Sequence, residues 1–247
     1  MEPDFLQPEA TGRPTLRPSG IFLALFVLAM RAICFILICS AGLAATSSAN
    51  PEAAVEGVVE LPPPTAEHPI TQRYRTNVEP VIAPSNPPAA VVSLEGDFSQ
   101  SARPAATTSA EMPQKNILFS PDLIAVRVGT AVEFPNLDDT YHNVFSYSKT
   151  KRFDLGRYRK NEKPGTVIFD KSGVVTVHCE IHDRMRGTIL VLETPFFQKT
   201  DSSGHYRLEH LPAGRFVLKA WLNEADVRKQ PVDLRSGVTL HVDFPAK

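Results

Sequence analysis

Four residues able to bind a metal ion stand within eight positions, His178, Cys179, His182 and Met185, in the stretch HCEIHDRMRG. Thiolate and thioether sulfur are soft donors and imidazole is a borderline one, so these types suit a soft or borderline ion. Cys179 closes a strand-like run, His182 follows at three residues and Met185 at six, so all three can share one tight loop. Alternation puts Val175, Val177 and Cys179 on one face and Thr176 and His178 on the other, which takes His178 out of the set. Other readings of Cys179 are a buried apolar filler, a partner in an intermolecular disulfide, or a nucleophile. A fourth donor must come from elsewhere, and the candidate is His142 in DDTYHNVF, just after a strand carrying Val132 and Phe134. Two imidazoles, one thiolate and a weak thioether are the donors expected at a blue-copper electron-transfer centre.

The rest of the chain bears on that cysteine. Residues 21–45 are almost continuously apolar apart from Arg31, and small residues follow in ATSSAN. This reads as an export signal cleaved after Ala44 or Ala49, with Met30 a more conventional start than Met1. Left uncleaved, the segment is a membrane anchor, the only contact with a membrane that the sequence suggests. Cys34 and Cys39 lie inside it, so the exported chain keeps Cys179 alone, and an unpaired cysteine in an oxidising compartment needs a reason. Lys plus Arg number 26 and Asp plus Glu 27, a balance without the footprint of a nucleic-acid binder.

The elements that must position the candidates are strands. From residue 114 onward three strand–turn–strand units follow one another, reading as hairpins. The first has Ile124, Val126 and Val128 on one face, a turn at Gly129, then Val132 and Phe134. The second is TVIFDKSGVVTVHC, and GTILVLE follows it. The third has Tyr206 and Leu208 inward, LPAG as the turn, and Phe216, Leu218 and Ala220 returning, with VTLHVDF as a third strand and Trp221 in its core. Upstream, residues 50–115 hold 11 of the 22 prolines, yet VEGVVEL (55–61) and AVVSLEG (90–96) have the β-branched content of short strands. Residues 97–112 read as a polar connector. No helical period is evident in the exported chain, so the fold class is all-β.

FSPDLIAVRVGTAVEFPNLDDTYHNVF and SGVVTVHCEIHDRMRGTILVLE together resemble the cupredoxins, and the short HC-x-x-H-x-x-MRG spacing resembles their amicyanin-like branch. With the trailing GHYRLEHLPAGRFVLKAW, the whole is similar to bacterial methylamine-utilisation-type, plastocyanin-like proteins. The resemblance implies a Greek-key β-sandwich over 113–193 with one type 1 copper held by His142, Cys179, His182 and Met185. It also makes Asn143 an outer residue tying the two ligand loops together. The tail, 194–247, resembles a carboxypeptidase-regulatory-like (transthyretin/Ig-like) β-sandwich, completed by strands within 55–97, so that the copper segment is inserted into it. Residues 50–112 then form a proline-rich segment carrying those strands, and 1–49 the signal or anchor.

The chain departs from the amicyanin-like pattern by carrying Ile181 and Asp183 where proline commonly flanks the second histidine. Asp183 and Arg184 imply a polar rim, so the redox partner protein is left unidentified. In copper nitrite reductases a histidine beside the ligand cysteine binds a second copper. Here that would need further histidines, and His68, His205, His210 and His241 include no H-x-H pair. The expectation is a periplasmic single-electron carrier that is not an enzyme. The rivals are a copper storage, delivery or sensing module, and a structural envelope protein. The basic run KTKRFDLGRYRK (149–160) is either a solvated loop or a surface that steers an acidic redox partner.

Overall fold

The computed structural model describes residues 52–63, 87–98, 109–162 and 165–246. The segment read as an export signal and the stretch 64–86 lie outside the described residues. The described residues form seventeen strands and no helix.

Ten of the strands make one sandwich. Its first sheet runs β10 (Thr166–Phe169), β7 (Thr130–Glu133), β3 (Ser109–Glu111). The second runs β6 (Leu123–Arg127), β12 (Arg186–Leu192), β11 (Gly173–His178), β8 (His142–Tyr147), β9 (Arg152–Tyr158). A short hairpin of β4 (Gln114–Lys115) and β5 (Leu118–Phe119) lies beside them. Alternating side chains fill the space between the sheets: Val126, Val132, Phe134, Val144, Phe169, Val175, Val177 and Ile189 are all buried in one cluster. β3 pairs parallel with β7, so the polar reading of 97–112 misses a three-residue edge strand.

The other strands make a smaller sandwich. One sheet runs β14 (His205–Leu211), β1 (Ala53–Val58), β17 (Thr239–His241). Its opposite runs β13 (Phe197–Lys199), β2 (Val91–Glu95), β15 (Gly214–Trp221), β16 (Val227–Leu234). β1 is flanked by strands some 150 to 185 positions later, and β2 lies between β13 and β15. The chain thus leaves this sandwich after β2 and rejoins it at β13, having built the ten-stranded one in between.

The three strand–turn–strand units are not hairpins. β6 and β7, β10 and β11, and β14 and β15 each belong to opposite sheets. Alternation specifies which side chains are buried, and a strand in either layer satisfies that by facing the same core. Leu208 and Leu218, for example, meet in one core from two sheets. The antiparallel partner of β15 is β16, which carries Pro231 and three charged residues and so lacks a plain strand signal. As an edge strand it tolerates proline. VTLHVDF contributes β17 beside β1, rather than a neighbour of β15.

Trp221 also sits differently from the expectation. It packs with Val91, Leu123, Leu190 and Leu192 in a third apolar cluster, which joins the outer face of β6 and β12 to that of β2 and β15. Lys199 adds a polar bolt, its Nζ donating to the Leu123 carbonyl at 3.1 Å. Trp221→Ala is therefore expected to lower stability by about 3–5 kcal/mol in chemical denaturation, while the ligand end of the larger sandwich, built from other residues, stays assembled.

Candidate metal centre

β8 and β11 are neighbours in the five-stranded sheet, with His178 opposite Phe145. His142 opens β8 and Cys179 is the first residue past β11, so antiparallel pairing brings both to the same end of the sandwich. The loop after Cys179 folds back at once. The Met185 N–H donates to the His182 carbonyl at 2.9 Å and the Cys179 N–H to the Met185 carbonyl at 3.2 Å. That tight closure swings His182 over Cys179 and buries Met185 completely.

His142 Nδ1 lies 3.1 Å from His182 Nδ1 and 3.9 Å from Cys179 Sγ, and Cys179 Sγ lies 3.7 Å from His182 Nδ1. Among the described residues this is the one group of three His, Cys, Asp or Glu side chains whose donor atoms converge. The point equidistant from the three atoms lies about 2.1 Å from each, close to the ~2.0–2.1 Å to nitrogen and ~2.3 Å to sulfur of a zinc-sized ion. A first-row metal fits there with little movement of the donors. His142 is wholly buried and Cys179 is 4% exposed, while His182 is partly open to solvent.

The surrounding groups favour the ligating thiolate of Cys179, whereas at His142 they favour the protonated ring, whose proton a metal must displace. Burial opposes the Cys179 thiolate, but hydrogen bonding to His142, the Asn143 and Ile181 amides and His182 outweighs it and holds the thiol down at about 6. Burial likewise opposes a charged His142, and its contacts with Cys179 and Asp138 overcome that, raising it above the usual histidine range. In the metal-free protein the thiolate absorbance of Cys179 is thus expected to rise through about pH 6 and not near the ~8.5 of a free cysteine. Because the folded state holds fewer protons than the unfolded one between those values, this group makes stability increase with pH over that window and fall as pH drops through about 6. Ultraviolet titration and pH-dependent denaturation check the two halves of this expectation.

Asn143 and Asp138 support the ligands. Asn143 Oδ1 accepts the Glu180 N–H at 2.8 Å and its Nδ2 donates to Asp154 at 3.3 Å, so it links β8 and β9 to the residue after the cysteine. Asp138, absent from the sequence reading, places Oδ2 at 2.9 Å from His142 Nε2 and accepts the Asn116 and Ile117 amides at 2.7 and 2.9 Å. The only signal for it was its place four residues before His142, in a loop without periodicity to say where side chains point. Behind them Tyr158, opposite His142 in the ladder, donates to the Phe134 carbonyl at 2.6 Å, and Asn136 donates to the Tyr158 and Thr140 carbonyls. These bonds fix the connection that delivers His142.

No protein-family model matches the chain, and no curated protein matches it in sequence. Among solved structures it is similar to a Cu-containing nitrite reductase (NirK) from Thermus scotoductus, at 26% identity over 35% of this chain and 23% of that one, with TM-score 0.33. It is also similar to a reduced point mutant of amicyanin, at 19% identity over 41% of this chain and 98% of that one, with TM-score 0.32. A purple cupredoxin from Nitrosopumilus maritimus follows at 23% identity, 34% and 98% coverage and TM-score 0.30. The chain thus spans under a quarter of the nitrite reductase's length.

The remaining candidates are placed elsewhere. His178 stacks on Phe145, ring centroids 5.6 Å apart, on the outer face of the sheet, and joins no metal-ligating group among the described residues. His205 and His241 face Asp201 and Asp243 in the smaller sandwich, and His210 faces Glu52. At the ligand end Asp183 and Arg184 are exposed as their types suggest. The polar rim they imply is nonetheless interrupted: Ile117, Leu137, Tyr141 and Ile181 are all at least 40% exposed on the loops that carry Asp138, His142 and His182 or bind them. Apolar side chains isolated in loops follow no periodic pattern by which the sequence could place them at this end.

Proposed function

We propose that the protein is an exported type 1 copper protein that carries single electrons in the bacterial cell envelope and transforms no substrate. The observation that supports this best is the convergence of His142 Nδ1, His182 Nδ1 and Cys179 Sγ, with sides of 3.1 to 3.9 Å, on a loop closed over buried Met185. Two imidazoles, a thiolate and a weak thioether are donors that suit both Cu(I) and Cu(II), and copper would supply a one-electron couple if His142, Cys179, His182 and Met185 held it. The chain's own part is rigidity and access. Burial of His142, Cys179 and Met185 holds the donors in one arrangement, and His182, partly open to solvent, is the port through which an electron passes. The smaller sandwich is read as a carboxypeptidase-regulatory-like module without catalysis of its own. Periplasmic export rests on the apolar segment 21–45.

Adding Cu(II) to the exported form is the test. An intense blue thiolate-to-copper band that bleaches on reduction is expected, and a colourless, weakly binding protein overturns the proposal. Fast electron self-exchange separates a carrier from a storage, delivery or sensing module using the same ligands.

The partner is proposed to be an acidic redox protein. Within the basic run Lys151, Arg157 and Lys160 pair with Asp170, Glu180 and Asp139, while Arg152 and Arg159 lie over the Tyr147 and Tyr141 rings. Electron exchange with such a partner should slow as ionic strength rises, and neutralising Lys149, Lys151 and Arg152 should slow it at low salt. Stopped-flow rates that ignore both changes remove the steering role.

A further inference from the structure

We propose that Asp138 is the positioning residue of the metal centre, and that its charge biases the site towards Cu(II) over Cu(I). The inference rests on the copper reading above. It concerns a residue that ligates nothing itself and acts through His142.

A carboxylate can only accept, so the 2.9 Å contact from His142 Nε2 to Asp138 Oδ2 requires the ring proton on Nε2. That leaves the lone pair on Nδ1, the atom that faces Cys179 and His182. The His142 side chain is fully buried, so no bulk water competes for Nε2, and the bond to Asp138 holds that nitrogen while Nδ1 faces Cys179 and His182. A carboxylate bound to the far nitrogen also raises the basicity of the ligating one. A more basic donor gains more from the more highly charged ion, hence the bias.

The same carboxylate is fixed from its other side by a backbone that is costly to build. The amides of Asn116 and Ile117 both donate to it, and these residues take φ values of 57° and 59° at the tip of the β4–β5 hairpin. Asparagine tolerates that region, but a β-branched isoleucine is strained there, where glycine would fit freely. The turn therefore adopts its strained form with both N–H groups aimed at one acceptor, and that acceptor's remaining contact is the ligand histidine. Hairpin tip, carboxylate and ligand form one unit.

The test compares wild type with Asp138→Asn, which keeps the shape and removes the charge. Affinities for Cu(II) and Cu(I) are measured separately by chelator competition, together with the reduction potential. Cu(II) affinity is expected to fall 10–100-fold, Cu(I) affinity to fall at least tenfold less, and the potential to rise by ~59 mV for each tenfold difference between the two. Ile117→Gly relaxes the hairpin. In the double variant thermal stability should recover while the potential stays raised. Equal losses for both oxidation states, or a potential restored by Ile117→Gly, would make Asp138 a mere brace for the turn and overturn the proposal. Failure of the parent reading shows differently, as a wild type that never turns blue. In that event the zinc-loaded protein decides the positioning role by nuclear magnetic resonance. An exchange-protected His142 Nε2 proton that disappears in Asp138→Ala supports it, and a rapidly exchanging one in the wild type overturns it.

Discussion

Cys179→Ser is expected to abolish the blue band outright and to weaken copper binding by more than the 10–100-fold that loss of an outer partner costs. The thiolate supplies the charge-transfer transition and is the stronger and only charged one of the two soft sulfur donors that suit Cu(I). A serine hydroxyl at the same place stays protonated at neutral pH and is a hard donor. The remaining imidazoles would hold Cu(II) weakly, with no sulfur-to-metal absorption. The fold should survive, because Cys179 is a single 4%-exposed side chain at the end of a strand and serine is nearly the same size. Denaturation of the metal-free variant should thus show a loss of only about 1–3 kcal/mol, the range for a buried hydroxyl lacking an ideal partner. Copper titration against the metal-free wild type separates the two effects. A variant that keeps the blue band excludes Cys179 as a ligand.

The legibility of this centre in the sequence followed from how local it is. Cys179, His182 and Met185 share one loop, so their spacing alone suggests a common target. His142 was reachable because it follows one recognisable strand, precedes another, and stands in an HNV context ahead of that loop. Asn143 came only from the resemblance to the cupredoxins, not from any signal of its own. Asp138 was missed, because its role depends on the hairpin tip at Asn116 and Ile117, whose amides come 21 or 22 residues earlier. The same limit governed the fold. Burial patterns along β14 and β15 were readable, yet which sheet each joins depends on partners far away in sequence, β1 for one and β2 for the other. Charged β16 and the placement of Trp221 between two sandwiches were invisible for the same reason: their surroundings are other elements' outer faces, which no local pattern encodes.

Gly57→Ala should be among the most damaging single changes in the smaller sandwich, by about 3–5 kcal/mol, and should leave the metal centre working. Gly57 lies in the middle strand of the three-stranded sheet, between Tyr206 on β14 and the chain just past β17. A Cβ there would stand 1.9 Å from the Val242 carbonyl oxygen and 2.6 Å from its carbon. The obstacle is backbone, so no rotamer change relieves it. To make room, the chain past β17 must move away from β1, and the bonds from the Val242 amide to Glu56 and from the Phe244 amide to Val58, at 2.9 and 2.8 Å, are lost with it. Phe244 and Val242 also leave the core they share with Val55 and Tyr206. The larger sandwich is insulated because the buried residues of its core all lie between Met112 and Val191 and it meets the smaller one through the Trp221 cluster alone among the apolar clusters of the described residues. Thermal unfolding of the copper-loaded variant is therefore expected to separate into two steps, with the blue band persisting through the first. A single transition in which colour and sheet signal vanish together would instead mean that the inserted sandwich depends on its host to stay folded.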